Sequence, residues 1–318
     1  MKTKLIILGI AALGLASCQQ YKKGEGGLLY KIHRDKDGAT LKEGDFMAIK
    51  AIQKTEEDSI IYNSYDFDQP TFMPMGKPSF KGDIFTALEL LSEGDSATFK
   101  VPLDSLVKRG MPKPSNPKNK YMIYTFVVEK VIPKGTLNDS VFNAKIQDYI
   151  GKEKEKAKSG EDKKVAAYVA DKGLKLETSP SGLKYVVTQK GAGALAAKGD
   201  TVTANYTGSF LSGKVFDTSV ADVAKKPENK SIYNAMRTYE PIKVPVGLGG
   251  SIAGFEEALS SFPKGTKVTV LMPSKLAYGE MGNQGIPPFT PLVFDLEIVN
   301  ITKGSGIPAQ LPPPVAPK

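Results

Sequence analysis

The chain has 318 residues, a formal charge of +9, one Cys and one His. A single thiol excludes an internal disulfide, a single imidazole excludes His-rich metal sites, and that imidazole, His33 in the charged run His33-Arg34-Asp35-Lys36-Asp37, reads as a surface residue rather than the base of a Ser-His-Asp triad. The positive charge is spread along the chain rather than gathered with stacking aromatics, so nucleic acid is not an expected partner, and the length fits about two domains.

The N-terminus opens with Lys2 and Lys4, runs through the apolar stretch Leu5 to Ala16, and closes on Leu15-Ala16-Ser17-Cys18. The apolar run is too short for a stable membrane-spanning helix and has the layout of a secretion signal. The small residues before the lone Cys resemble a bacterial lipoprotein signal; an ordinary secretory signal that happens to contain a Cys is the alternative. The expectation is a signal over 1–17, a lipidated tether over 18–26 with acylation on Cys18, and anchoring in the outer membrane, since Gln19 rather than Asp follows the Cys.

Beyond the tether the chain repeats itself. Gly27-Leu28-Leu29-Tyr30 matches Gly182-Leu183-Lys184-Tyr185 and Gly44-Asp45 matches Gly199-Asp200, both at an offset of 155. Gly94 and Pro102 match Gly265 and Pro273 at 171, and Phe126-Val127-Val128-Glu129 matches Phe294-Asp295-Leu296-Glu297 at 168. Ordered matches with few changes of offset predict two copies of one domain, over 27–134 and 177–303, with an insertion in the second near Val220 to Glu240. Thr201 to Tyr206 and Thr266 to Leu271 alternate as half-buried strands, Ile252 to Leu259 reads as a short helix, and Pro263-Lys264-Gly265 as its stop. The fold class expected is α+β. Between the copies, 135–176 reads as a helical linker. Phe142, Ile146, Tyr149 and Ile150, and then Val165, Tyr168 and Val169, recur at helical spacing and should pack on a neighbouring domain. The charged stretch Lys152 to Lys164, with Ser159-Gly160 inside it, is expected to join two helices, and Gly173 to stop the second. The last residues, 304–318, form a Pro-rich tail unable to build a core.

The second copy carries an ordered set of motifs: Asn205-Tyr206-Thr207-Gly208, Phe216-Asp217, Gly254-Phe255-Glu256-Glu257, Ala277-Tyr278-Gly279, Ile286-Pro287-Pro288 and Phe294-Asp295. None contains a nucleophile beside a base; together they suggest an aromatic cup for one apolar residue of a peptide. Their order and spacing closely resemble the FKBP-type peptidyl-prolyl cis/trans isomerases. The resemblance implies a twisted antiparallel sheet with one short helix across it, and isomerase activity with no metal and no cofactor. It assigns catalytic roles to Tyr278 (hydroxyl donor), Asp217 (rim), Phe216 (wall) and Ile252 (backbone N–H donor). It assigns substrate contacts to Tyr206, Ile242, Ser251, Phe255, Ile286 and Phe294. It implies unfolded or proline-containing polypeptides as partners and a macrolide as a candidate ligand. The chain departs from the family in Phe255, where many relatives carry Trp, in Ile242, where the best-known relatives carry Phe, and in Asn283, where they often carry His. Whether Arg237 or Tyr239 of the insertion folds over the site is left open.

The first copy lacks the cup. At the offsets above, Ala51, Lys81, Ile84 and Val107 stand where Tyr206, Ile252, Phe255 and Tyr278 stand, and only Phe126 keeps a counterpart, in Phe294. A catalytically silent copy is expected, acting as a spacer or as a holder of unfolded chains. The expectation for the whole is an isomerase assisting exported proteins in a bacterial envelope. The alternative is a non-catalytic chaperone or scaffold whose pocket holds proline-containing segments.

Overall fold

The computed structural model describes residues 20–112 and 116–304; the expected signal, Cys18 and the tail from 305 on lie outside the described residues. Two antiparallel sheets of seven strands are built in the same order. The first copy contains β1 (Lys22–Lys23), β2 (Leu29–Arg34), β3 (Phe46–Thr55), β4 (Ile60–Asn63), β5 (Thr71–Pro74), α1 (Ile84–Leu88), β6 (Ser96–Pro102), α2 (Leu103–Val107) and β7 (Tyr121–Ile132). Its strands lie in the order β1-β2-β6-β7-β3-β4, with β5 also on β3. A helix, α3 (Asp139–Asp171), leads to the second copy. That copy contains β8 (Glu177–Thr178), β9 (Lys184–Gln189), β10 (Thr201–Phe210), β11 (Val215–Thr218), α4 (Ala221–Ala224), β12 (Ile242–Pro245), α5 (Ala253–Ser261), β13 (Lys267–Met272) and β14 (Leu292–Thr302). Its order, β11-β10-β14-β13-β9-β8 with β12 on β10, is the first copy's topology over again.

Strand alternation sets each core. Along β10 every second residue (Val202, Ala204, Tyr206, Gly208, Phe210) is buried, and β6 does the same with Ala97, Phe99 and Val101. α5 lays Phe255, Ala258 and Leu259 on the inner face of its sheet. Gly254 lets it approach closely: a Cβ there would meet the Met272 Sδ at 3.0 Å and the Leu276 Cβ at 3.1 Å.

Shared hydrogen bonds fix the correspondence between copies. Ala51 N–H donates to Ser64 Oγ at 2.8 Å, and Tyr206 N–H to Ser219 Oγ at 2.9 Å, so the offset is 155 up to Ser219. Phe46 pairs with Pro74 and Thr201 with Pro245, so the offset is already 171 at β12. The extra residues therefore fall within 220–244, where the insertion was expected. The last strand corrects the sequence alignment. Ala51 pairs with Phe126 and Gln53 with Tyr124, whereas Tyr206 pairs with Leu296 and Gly208 with Phe294. Tyr124, not Phe126, occupies the place of Phe294. The sequence match slipped by two residues, and because side chains alternate with period two, such a slip leaves the buried face unchanged and the pattern equally good.

The linker is also corrected: α3 is one helix of 33 residues, not two. Asn138 caps its start by accepting from Val141 N–H at 3.0 Å. The charged stretch stays helical because it is solvated and supported by neighbouring pairs, such as Lys152–Asp148 at 2.7 Å. Ser159 turns its hydroxyl back to donate to the Glu155 carbonyl at 2.8 Å, so it does not compete for another conformation. The helix is held at both ends by packing, Tyr149 edge-on to Phe72 of the first copy and Val165 among Leu271 and Val293 of the second. It stops at Gly173, as expected, with φ +59° and Leu174 N–H donating to the Val169 carbonyl at 3.0 Å.

Candidate active site

Neighbouring strands and one helix bring the aromatic residues together. Tyr206 on β10, Phe216 on β11, Phe294 on β14 and Phe255 on α5 point into one cluster, joined by Ile286. Phe216 meets Phe294 edge-on at 5.7 Å between centroids, Phe255 meets Phe294 at 5.2 Å, and Tyr206 meets Phe255 at 6.0 Å. These are the edge-to-face arrangements that ring quadrupoles favour. Gly208 makes the arrangement sterically allowed: a Cβ there would meet Phe216 Cζ at 2.6 Å and Phe294 Cε1 at 2.8 Å. Ile242, Ile252 and Tyr278 pack half-buried against the same cluster.

Ile252 is the N-cap of α5, and its carbonyl accepts from Phe255 N–H at 3.0 Å and Glu256 N–H at 3.1 Å. Glu256 folds back to accept from Gly247 N–H at 3.0 Å and Ser251 N–H at 3.1 Å. The Ile252 N–H itself has no acceptor among the described residues and remains available to a substrate carbonyl. The Tyr278 hydroxyl likewise has no protein partner among the described residues. Ser251 is exposed at the edge rather than within the cluster.

Asp217 sits partly exposed at the rim, its carboxylate engaged by three donors. It accepts a short hydrogen bond from the Tyr206 hydroxyl, one from its neighbour Thr218 N–H at 2.9 Å, and one from Arg237 Nη1 at 2.6 Å. These bonds tie its carboxylate to the Tyr206 hydroxyl and to the insertion. Burial pushes the Tyr206 phenol well above its usual pKa, and the adjacent Asp217 adds to the shift. Burial opposes the Arg237 charge, but the bonds to Asp217 and Tyr206 outweigh it and raise its pKa. The site residue that motif reading did not assign is thus Arg237, which comes from the insertion, stacks over Tyr239 at 5.2 Å and donates to Tyr206 Oη at 3.3 Å. An irregular insertion has no periodicity to place it, so only the fold could. Among the described residues no group of three or more His, Cys, Asp or Glu side chains is placed to hold a metal ion.

The family model of the FKBP-type peptidyl-prolyl cis-trans isomerase matches residues 193–299. The chain is 36% identical over 133 residues to FK506-binding protein 2 of Candida glabrata, covering 40% of this chain and 86% of that protein. The chain belongs to the FKBP-type isomerase family. It is also 39% identical over 127 residues to the FKBP-type 22 kDa peptidyl-prolyl cis-trans isomerase of Escherichia coli, covering 40% of this chain and 53% of that protein. It thus spans about half the length of that relative. A crystal structure of FkpA from Escherichia coli aligns at 30% identity over 52% of this chain and 74% of that one, with a TM-score of 0.41. The FKBP match ends at 299, close to the end of β14, and holds every aromatic wall described above.

Proposed function

We propose that the second copy is a peptidyl-prolyl cis/trans isomerase acting on proline-containing segments of polypeptides, and that the first copy is catalytically silent. The observation that carries the reading is the contiguous series of rings Tyr206, Phe255, Phe294 and Phe216 beside an Ile252 N–H with no acceptor among the described residues. Rotation about a peptide bond costs about 18–20 kcal/mol because resonance gives the C–N bond double-bond character. For X–Pro the cis and trans forms differ by only about 1 kcal/mol, so a catalyst has merely to stabilise the twisted amide. The planar amide separates more charge than the twisted one, so a dry aromatic cup disfavours the planar form. The Ile252 N–H and the Tyr278 hydroxyl then hold flanking carbonyls while the proline ring stays between the aromatic walls. Each factor of ten in rate requires about 1.4 kcal/mol, so desolvation with two oriented hydrogen bonds accounts for several orders of magnitude. Polypeptide substrates suit the surroundings: Met236 and Met281, 94% and 80% exposed, offer apolar contacts on the insertion and beside the 282–289 loop.

The side chains of the first copy support its silence. Ala51 replaces Tyr206 in the same register, and Lys81 is exposed where Ile252 would line a cup. The wider reading, that the chain serves exported proteins while anchored to an outer membrane through Cys18, rests on the N-terminal pattern. Metabolic labelling with a fatty acid, lost in Cys18→Ser, tests it. The isomerase reading is tested by cis-to-trans acceleration on a short X–Pro peptide. Phe216→Ala should lower kcat/KM at least about tenfold, on the scale of a lost buried aromatic contact of 1.4 kcal/mol or more. Binding of unfolded chains without any acceleration would instead favour a holding site.

A further inference from the structure

The pocket is held from outside the family-matched segment. In the first copy the strand β4 is followed by a short loop, Ser64 to Gln69, where the second copy has its insertion. The loop is fixed in its own domain by Asn63, which accepts from Tyr65 N–H at 3.1 Å. Its outward residues reach the other copy. Phe67 packs edge-on to Phe210 at 5.0 Å, and Phe210 backs Phe216 at 5.2 Å. Gln69 Nε2 donates to the Pro288 carbonyl at 2.7 Å.

Pro288 precedes the strained point of the loop that carries Ile286. Phe289 has φ +53°, a conformation rare for a bulky side chain and costly enough to need external support. Within the loop, Gly282 N–H donates to the Tyr278 carbonyl at 3.1 Å, Asn283 and Ile286 form a tight bridge, Gln284 N–H donates to Asn283 Oδ1 at 2.8 Å, and Phe289 N–H donates to the Gly279 carbonyl at 2.9 Å; none of these bonds engages the Pro288 carbonyl. The long helix supplies another hold. Glu161 accepts from Ser274 N–H at 2.5 Å and from Ser274 Oγ at 2.6 Å, and Ser274 begins the turn that leads to Tyr278. Helix and loop are tied together by Lys164 and Asp68 at 2.9 Å.

We propose that the silent copy and α3 form a brace for the isomerase pocket, with Phe67, Gln69 and Glu161 as positioning residues. Phe67 sets the Phe216 wall, Gln69 the loop of Ile286, and Glu161 the turn before Tyr278. The inference rests on the isomerase reading of that pocket. It gives the first copy a role that a spacer does not have.

The test uses the full chain with Gln69→Glu, which is isosteric but removes the donor and sets a carboxylate against the Pro288 carbonyl, and with Glu161→Gln, which removes one of the two acceptors around Ser274. Gln69→Lys, which keeps a long-armed donor, is the rescue variant. X–Pro kinetics, the thermal midpoint and the Ile286 methyl resonance are measured for each. Gln69→Glu should raise KM about 3- to 10-fold, the range of one hydrogen bond, shift the Ile286 methyl and leave the thermal midpoint unchanged, with Gln69→Lys restoring much of the loss. Glu161→Gln should act on kcat, through Tyr278. Kinetics indistinguishable from the unaltered chain in both variants, or a rate loss with the Ile286 methyl unmoved in Gln69→Glu, would overturn the brace. If the unaltered chain does not accelerate isomerisation, the isomerase reading fails. The Ile286 shift in Gln69→Glu then decides the brace by itself, for it if the resonance moves and against it if not.

Discussion

At the scale of single residues, the site depends on one side chain that is missing. Gly208 sits inward on β10 between two rings, and any Cβ there would lie inside van der Waals contact with both. Gly208→Ala should therefore cost about 1–3 kcal/mol of stability through overpacking and displace Phe216 and Phe294 from the cup. Denaturant unfolding together with the X–Pro assay checks this, and a variant with unchanged activity would show that the rings relax freely. Asp200 makes a different point. The hydrogen bond from Lys303 at 2.8 Å, then those from Ala197 N–H at 2.8 Å and Gly304 N–H at 3.0 Å, hold its pKa down to about 2. Because the folded value lies below the unfolded one of about 4, its stabilising effect is complete above pH 4 and is lost as pH falls towards 2. Asp200→Asn should be less stable than the parent at neutral pH and show a shallower loss on acidification over that window, read by thermal denaturation. Gly208 was visible in the sequence as part of a motif. What it makes room for was not, because Phe216 and Phe294 reach it from different strands.

At the scale of elements, the long helix is the clearest departure from local signals. Ser159-Gly160 amid charges reads as a break, since both residues disfavour helix interiors. The helix persists because its two ends are packed on different copies, which fixes their separation and direction, while i,i+4 pairs such as Lys152–Asp148 support the solvated middle. Gly160 is half-buried, with only the tip of Lys164 within 4 Å of where a Cβ would stand. Gly160→Ala should stabilise the protein by about 0.5–1 kcal/mol, whereas a true interhelical turn would gain nothing from Ala. Urea midpoints of the two proteins decide between them. The strands, by contrast, were largely legible: β10 alternates in the sequence as it does in the sheet, whereas the end of β13 is buried on both faces because Leu271 is covered by Val165 of α3. Only the register of β7 against the repeat escaped, because a slip of two residues leaves an alternating pattern intact.

At the scale of the whole molecule, the two copies are joined by more than the chain. A cavity of about 410 Å³ at their junction is lined by Phe67 and Gln69 of the first copy, Lys164 and Tyr168 of α3, and Phe210 and Thr290 of the second. Val165, 6% exposed among Leu271 and Val293, is the apolar pin of α3 on the second sheet. Val165→Asp would place a carboxylate in that contact, where a buried charge without a partner is not tolerated. The expected outcome is a larger radius of gyration by small-angle scattering with the far-ultraviolet circular dichroism of both sheets retained; an unchanged radius would mean that other contacts suffice to hold the helix. The two-copy plan, most of the strand periodicity, the aromatic set of the second copy and its absence from the first were readable in the linear sequence. Each of these is written in local residue order or in a repeat of it. The three-dimensional fold alone shows that Arg237 joins Tyr206 and Asp217, that the linker is one helix, and that Phe67, Gln69 and Glu161 meet Phe210, the Pro288 carbonyl and Ser274. These are contacts between segments distant in sequence, made by an irregular insertion, a loop and a solvated helix, and no periodicity encodes which groups such segments will meet.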